Sequence, residues 1–282
     1  MGVINVVTKK NSNNFSISSL NGNSIKSALQ TQWQIGEATL DVFLRHSDDK
    51  GFQYDVPATY EPIQTSIRDT VEENTFSFNW TMKNTQIKGL ARKNYMPDYY
   101  VIDNISPQKQ RAEIDYYDIG LFQVFNSDHF AHHFQLHQTA NADGLNLQLS
   151  APGALAAISQ PASNEALYVK TSLEGRSTHL AWDASSTGYD NKWNVGLTWR
   201  RLESTSSRAY NNFDLSDLSN HQFPVRYYGD FSHYSDLEEH IARNNYAGYI
   251  QWVKPIDSDQ FNVGIRYDKY DLFGDRKSTR LN

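Results

Sequence analysis

Nine histidines and 32 acidic side chains give this 282-residue chain raw material for acid–base or metal chemistry. Their spacing decides whether any of it can work. His129, His132, His133 and His137 fall close together. On an extended strand, side chains four apart are separated by about 13 Å, so His133 and His137 cannot share one metal ion. With Gln135 they point to one face, while His132 points to the other, and they read as polar lining. Asp48-Asp49 and Glu72-Glu73 are adjacent pairs in polar stretches, where charge runs are normally solvated. No phosphate-cradling glycine loop or nucleophile elbow is present. The absence of cysteine excludes a disulfide scaffold and a thiolate metal site. No catalytic residue and no cofactor are expected.

Two groups of aromatic and basic residues are better candidates for binding. Tyr95, Tyr99 and Tyr100 lie in one long polar stretch. Arg208, Tyr210, His221, Arg226, Tyr227, Tyr228 and Tyr234 lie in another. Aromatic faces interspersed with guanidinium groups suit aryl or anionic ligands through stacking, cation–π contacts and charge-assisted hydrogen bonds. The competing reading is that these tyrosines pack loops against each other. A formal charge of −6 and a pI near 5.8 argue against a nucleic-acid partner.

The elements that must carry these residues are strands. Phe76, Phe78, Trp80 and Met82 alternate with Thr75, Ser77, Asn79 and Thr81. Leu40, Val42 and Leu44 oppose Thr39, Asp41 and Arg45. Trp193, Val195, Leu197 and Trp199 alternate with Asn194, Gly196, Thr198 and Arg200. Phe261, Val263, Ile265 and Tyr267 alternate with Asn262, Gly264, Arg266 and Asp268. Period-two patterning marks strands with one apolar and one polar face, and the chain is all-β. A spanning helix needs roughly 18 or more consecutive apolar residues, and no such run exists here. A barrel strand needs only every second residue apolar, which reconciles a mean hydropathy of −0.65 with a membrane protein.

The connections alternate as well. Short turns fall at 35–37, 83–84, 126–128 and 255–259, with long polar stretches at 47–73, 94–112, 141–163 and 204–240. All short turns therefore lie at one end of the sheet and all long loops at the other. Glu174-Gly175-Arg176 resembles a tight turn, but a turn there would break the alternation. Reading 164–185 as one long strand, with a bulge near Gly175 and a turn around 189–192, preserves it. Trp33, Trp80, Trp182, Trp193 and Trp252 all fall near the short turns, as do Phe125, Phe130 and Phe261. Aromatic rings favour the headgroup zone of a bilayer, so these residues predict a girdle on the short-turn side. The turn spacing, on the order of 45 residues, could suggest a propeller, but each unit offers two long strands rather than four short ones.

Gly2-Val3-Ile4-Asn5-Val6-Val7-Thr8-Lys9-Lys10 resembles the strand that closes the plug domain of TonB-dependent outer-membrane receptors, immediately before their barrel. Arg45-His46-Ser47-Asp48-Asp49-Lys50-Gly51-Phe52 and Val263-Gly264-Ile265-Arg266-Tyr267-Asp268 are similar to stretches of the same family's barrels. The resemblance implies that residues 1–12 are the last plug strand and 13–282 the first half of an antiparallel transmembrane β-barrel. About eleven strands, from 14–21 to 260–270, are expected against the ~22 of plugged transporters. Met1 is then an internal methionine, and the tail from Lys277 to Asn282 stands apart from the native pattern. The implied function is energy-coupled uptake of a scarce nutrient, foremost an iron–siderophore complex, with haem, cobalamin and glycans as alternatives. The implied partners are outer-membrane lipid, the TonB complex acting through the plug, and the small-molecule ligand. The implied location is the outer membrane of a Gram-negative bacterium. Phe223-Pro224-Val225-Arg226 is not the box expected of haem receptors. Two rivals remain: a passive outer-membrane pore or adhesin barrel, and a soluble all-β carbohydrate-binding domain.

Overall fold

The computed structural model describes residues 13–20, 23–56, 65–97, 110–186, 188, 191–231, 233–237, 241–256, 259–271 and 274–281. The proposed plug strand at 1–12, together with Tyr99 and Tyr100, lies outside them. The long strands are β1 (Asn14–Leu20), β2 (Ser24–Ile35), β3 (Ala38–Asp49), β6 (Val71–Met82), β7 (Thr85–Met96), β8 (Arg111–Asn126), β9 (Phe130–Gln148), β11 (Tyr168–Ser186), β12 (Lys192–Asn211), β15 (Ala242–Ile256), β16 (Asp259–Tyr270) and β17 (Gly274–Leu281). The short ones are β4 (Gln53–Val56), β5 (Thr65–Arg68), β10 (Ser159–Gln160), β13 (Val225–Arg226) and β14 (Tyr234–Asp236), with one helix, α1 (Leu215–Ser219).

The twelve long strands form one antiparallel meander in the order β1-β2-β3-β6-β7-β8-β9-β11-β12-β15-β16-β17, and β14 pairs with the loop end of β12. Among the described residues β1 and β17 are its edges. One strand more than expected is present, because Gly274–Leu281 pairs with β16 from Tyr270↔Gly274 to Val263↔Leu281. The extended connections do fall at one end, but they are shorter than the sequence predicted. Backbone pairing carries β9 to Gln148 and β12 to Asn211, well into the stretches read as loop. A polar composition does not stop a strand when both neighbours satisfy its amides.

Cross-strand register puts the alternating side chains on two continuous faces. Trp33, Leu40, Trp80 and Ile87 are neighbours across β2, β3, β6 and β7. Leu121, Leu136, Leu180 and Trp199 follow across β8, β9, β11 and β12. Among the described residues nothing packs on this face: Leu197 is 57% and Ile265 53% exposed, while the buried apolar residues of the long strands are almost all alanines. Exposure on this scale is far beyond what water tolerates on a soluble sheet and is what a lipid-facing surface requires. The soluble carbohydrate-binding alternative needed this face covered.

The girdle is present at the short-turn end. Trp193 stands 6.2 Å from Trp252, which meets the edge of Phe261 at 5.9 Å. His132 stacks on Phe125 at 4.6 Å and lies 6.0 Å from Trp182, so it faces lipid as its parity required. The indole N–H of Trp252 donates to Asn191 Oδ1 at 3.2 Å, keeping its polar edge satisfied at the interface.

The register slip near Gly175 is real but sits in the neighbouring strand. β11 pairs with β9 without interruption from Tyr168 to Ser186. Against β12, Glu174 faces Ser206 and Gly175 faces Ser204, leaving Thr205 as the extra residue. A bulge moves the side chains beyond it to the other face. Arg208 and Tyr210 consequently share the apolar-side face, and Ala209 and Asn211 the polar one.

Candidate functional site

The polar face carries a ladder of side-chain hydrogen bonds that climbs from the short turns toward the loops. Gln32 and Asn79 donate to Asp41 at 2.7 and 3.3 Å, and Gln86 donates to Asn79 at 2.8 Å. Arg92 and Arg45 flank Glu73 at 3.1 and 3.8 Å. Farther round the sheet, His137 Nε2 meets Asp118 Oδ2 at 2.8 Å, and Tyr116 donates to the same carboxylate at 3.1 Å. The Tyr249 hydroxyl donates to Asp183 at 2.7 Å. His137 is therefore held by a carboxylate in a polar network, in keeping with its reading as lining. His133 faces Asp183 across the β9–β11 pair on the same side.

At the loop end this face opens into a recess of about 760 Å³. Its walls include Thr139, Asn141, Asp143, Ser177, Arg200 and Arg243, with Leu173, Leu202, Leu237 and Ile241 toward the loops. Gly175 keeps its floor low, since a Cβ there would come within 2.9 Å of Asn141 Oδ1. Leu173, whose parity broke the apolar pattern, lines this recess instead of facing lipid. The recess joins two guanidinium groups to an amide, a carboxylate and hydroxyls, and Asn141 already donates to Asp143 at 3.1 Å. Such a wall can hold an oxygen-rich anionic ligand by charge-assisted hydrogen bonds. Sequence reading did not select Arg200 or Arg243, because each is a routine polar residue until register brings four strands together, nor Asn141 and Asp143, which fell in a stretch read as loop and lie within β9.

At the same loop end, the connections 149–167 and 212–231 fold into a cap. Phe213, Val225 and Leu167 form its core, with Leu155, Ile158 and Tyr227 packed around them. β10 and β13 pair in parallel between the two connections. The Asn212 side chain accepts from Tyr168 N at 2.9 Å and donates to Ala166 O at 2.9 Å. Asp214 caps α1 by accepting from Ser216 N and Asp217 N at 2.8 and 3.0 Å.

The second candidate group divides between this cap and the rim of the sheet. Arg226 grips Asp217 bidentately, at 2.9 and 3.0 Å, and reaches Asp214 at 2.5 Å. Tyr228 donates to Asp214 at 2.6 Å and stacks on His233 at 3.8 Å. Tyr227 packs on Phe213 at 4.8 Å. These three residues are brought together in the cap, where Arg226 and Tyr228 are engaged by Asp214 and Asp217. Arg208 sits elsewhere, over the Tyr234 ring at 5.0 Å and 3.6 Å from Asp236, with Tyr210 against Tyr234 at 5.6 Å. Tyr95 lies at the loop end of β7 opposite Glu72 and Glu113, on the apolar-side face. His221 is an exposed residue just beyond α1, with a φ of 55°.

The cap's charges are tuned by one another. The Asp217 carboxyl is lowered by the Arg226 side chain and then by the Arg226 amide. Burial pulls the Asp214 carboxyl upward, but the Tyr228 hydroxyl and the Asp217 and Ser216 amides outweigh it, and the net direction is down. Burial, then the hydrogen bond to Asp214, pushes the Tyr228 phenol up to about 12. The Arg226 guanidinium is raised, first by Asp217. All four groups hold the protonation states that bind one another.

A long antiparallel meander with one lipid-facing surface, an aromatic girdle at its short turns and a polar lining beneath a loop cap defines an outer-membrane β-barrel wall. No protein-family model and no curated protein matches the chain. Among solved structures it is similar to the copper transporter OprC, with a TM-score of 0.52 at 14% identity over 94% of this chain. It spans 40% of that transporter's length. At this identity the likeness concerns the fold alone, an antiparallel β-barrel section of the outer-membrane type.

Proposed function

We propose that this chain forms part of the barrel of a TonB-dependent transporter in the Gram-negative outer membrane, taking up an oxygen-rich anionic nutrient, foremost an iron–siderophore complex. The observation that carries the reading is the recess on the polar face lined by Arg200, Arg243, Asn141 and Asp143, at the loop end of a sheet similar in fold to a transporter barrel. The resemblance of residues 2–10 to a plug-closing strand supports energy coupling through TonB over a passive pore or adhesin. The role is binding and passage, without catalysis. Guanidinium groups held on adjacent strands prefer a chelate whose oxygens carry negative charge.

Uptake of labelled iron–siderophore complexes by cells with and without the gene, each with and without functional TonB, tests this reading. Loss of uptake on removing either one is expected, together with a several-fold loss for the R200Q/R243Q variant. Uptake that persists without TonB would sink the energy-coupled reading. Unchanged iron uptake with lost uptake of another nutrient would redirect the substrate.

A further inference from the structure

Two kinds of side chain line the recess on the polar face, and register separates them by height. Arg200 and Arg243 occupy its deep end. Leu202 faces Arg243 across β12 and β15, and Arg200 faces Asn245, so the two arginines are diagonal neighbours with backbones roughly 7–8 Å apart. Neither meets a carboxylate among the described residues, whereas Arg45, Arg92 and Arg266 on the same face each do. Asp143 accepts from Asn141 on the far wall and is separated from both arginines by β11. Two adjacent guanidinium groups with no counter-charge repel one another, and an anion that accepts from both relieves the repulsion.

From the level of Arg243 toward the loops the wall turns aliphatic. Leu202 faces Ser177 on β11, and Leu173 lies four residues nearer the loops on that strand, about 13 Å farther along. Leu237 and Ile241 are pinned beside β12, where Leu237 N donates to Ser207 O and Ser204 N donates to Ile241 O, both at 2.9 Å. Leu202 and Leu237 are 41% and 51% exposed, on the face where lipid does not account for them. Aromatic residues make up 13% of the chain, yet none lines the recess. Tyr227 and Tyr228 are held in the cap, and Tyr210 stands against Tyr234 on the other face. The wall therefore offers a row of aliphatic contacts above a cationic base, and no ring on which an aryl group could stack.

We infer that the recess takes an anionic iron chelate that carries an aliphatic acyl chain. Its acidic head lies on Arg200 and Arg243, and its chain runs along Leu202, Leu173, Leu237 and Ile241 toward the loops. The inference rests on the uptake role proposed above and narrows its substrate class from anionic chelates in general to acylated ones.

Binding of labelled iron(III) to isolated outer membranes containing the full chain tests it. The probes are one citrate-derived chelator bearing an acetyl, an octanoyl or a naphthoyl group, with membranes from cells lacking the gene as the background for partition into lipid. Burial of a methylene is worth about fourfold in affinity, so the octanoyl form should bind at least tenfold more tightly than the acetyl form. The naphthoyl form, too short to span the row, should gain no more than about threefold. R200Q/R243Q should weaken acetyl and octanoyl forms alike, several-fold, and L202N/L237N should erase the octanoyl advantage. Heat-modifiable gel migration reports that each variant is folded, and the ranking on the wild-type protein decides even where a variant is not. Equal binding of acetyl and octanoyl forms, or tightest binding of the naphthoyl form, would overturn the inference. So would a folded L202N/L237N variant that keeps the full octanoyl advantage. Binding of none of the three above background would instead refute the proposed uptake of iron chelates.

Discussion

The main sheet and the cap at its loop end follow opposite rules. In the cap, Phe213 and Val225 are fully buried and Leu167 nearly so, and the charged groups pair with one another. In the sheet, large apolar side chains point outward, and the buried apolar positions are small. The two regions differ because their solvents differ. Water drives apolar groups of the cap into a shared interior, whereas hydrocarbon accepts Leu197 or Ile265 where they stand and demands only that every backbone amide be paired. The strands between the two edges meet that demand through their ladder, and the cap meets the other through its core. A single chain thus contains one region organised by burial and one organised by hydrogen bonding.

The sharpest way to break the comparison is Phe213→Ala. Emptying the centre of a water-facing core costs about 3–5 kcal/mol, enough to open a cap this small. Protease cleavage within 149–167 and 212–231 should appear while hydrogen exchange of β9 and β11 stays slow. Cleavage that is unchanged would mean the cap core contributes little.

Leu197→Arg probes the other region. On a soluble sheet a residue 57% exposed would accept arginine at almost no cost. On a lipid face near mid-band the cost is about 2–4 kcal/mol. Unfolding titrations in lipid vesicles measure it, and a change under about 0.5 kcal/mol would refute the lipid-facing assignment.

Gly196→Ala examines the polar lining. An added Cβ would lie 2.2 Å from Tyr249 Cε1 and 2.5 Å from Asp183 Oδ1, so the Tyr249–Asp183 hydrogen bond must shift. Overpacking of this kind costs about 1–3 kcal/mol. The Tyr249→Phe background should remove part of that cost, and additivity of the two changes would show that no coupling exists.

The mildest test is pH. Asp214 and Asp217 titrate below their ordinary value of 3.8 in the folded cap, so their contribution is complete above that value and is lost as pH falls through the lowered ones. Tyr228 is raised from 10.0 to about 12, so its contribution is present below 10 and fades as pH approaches 12. Protection of the Val225 and Tyr227 amides, corrected for the intrinsic pH dependence of exchange, should therefore be flat from mildly acidic to mildly alkaline pH and fall at both extremes. In Tyr228→Phe the alkaline limb should disappear. A loss of protection near neutrality would show that other groups control the cap.

Much of the sheet was legible before any coordinates. Alternation over Phe76, Phe78, Trp80 and Met82 is local information, and two residues suffice to state which way each side chain points. His132 and His133 were assigned to opposite faces on that ground, and register agrees. Polar strand ends were misread as loops, since composition cannot report that a neighbouring strand continues alongside. The slip at Gly175 was visible as a parity break, yet only pairing with two partners showed that Thr205, on the other strand, is the inserted residue. Arg226 and Tyr228 were legible as a binding-type cluster. Their partners Asp214 and Asp217 lie 9 to 14 residues away and were not.

By itself, then, the sequence determined the period-two strands, the two faces, the end on which the longest connections gather and the aromatic girdle, because each is repeated every two residues or marked at a turn. Tertiary structure alone decided the cap, the recess and the rim. Each depends on residues from separate connections or from several strands meeting at one height. That meeting is fixed by register and tilt, quantities that no single strand encodes.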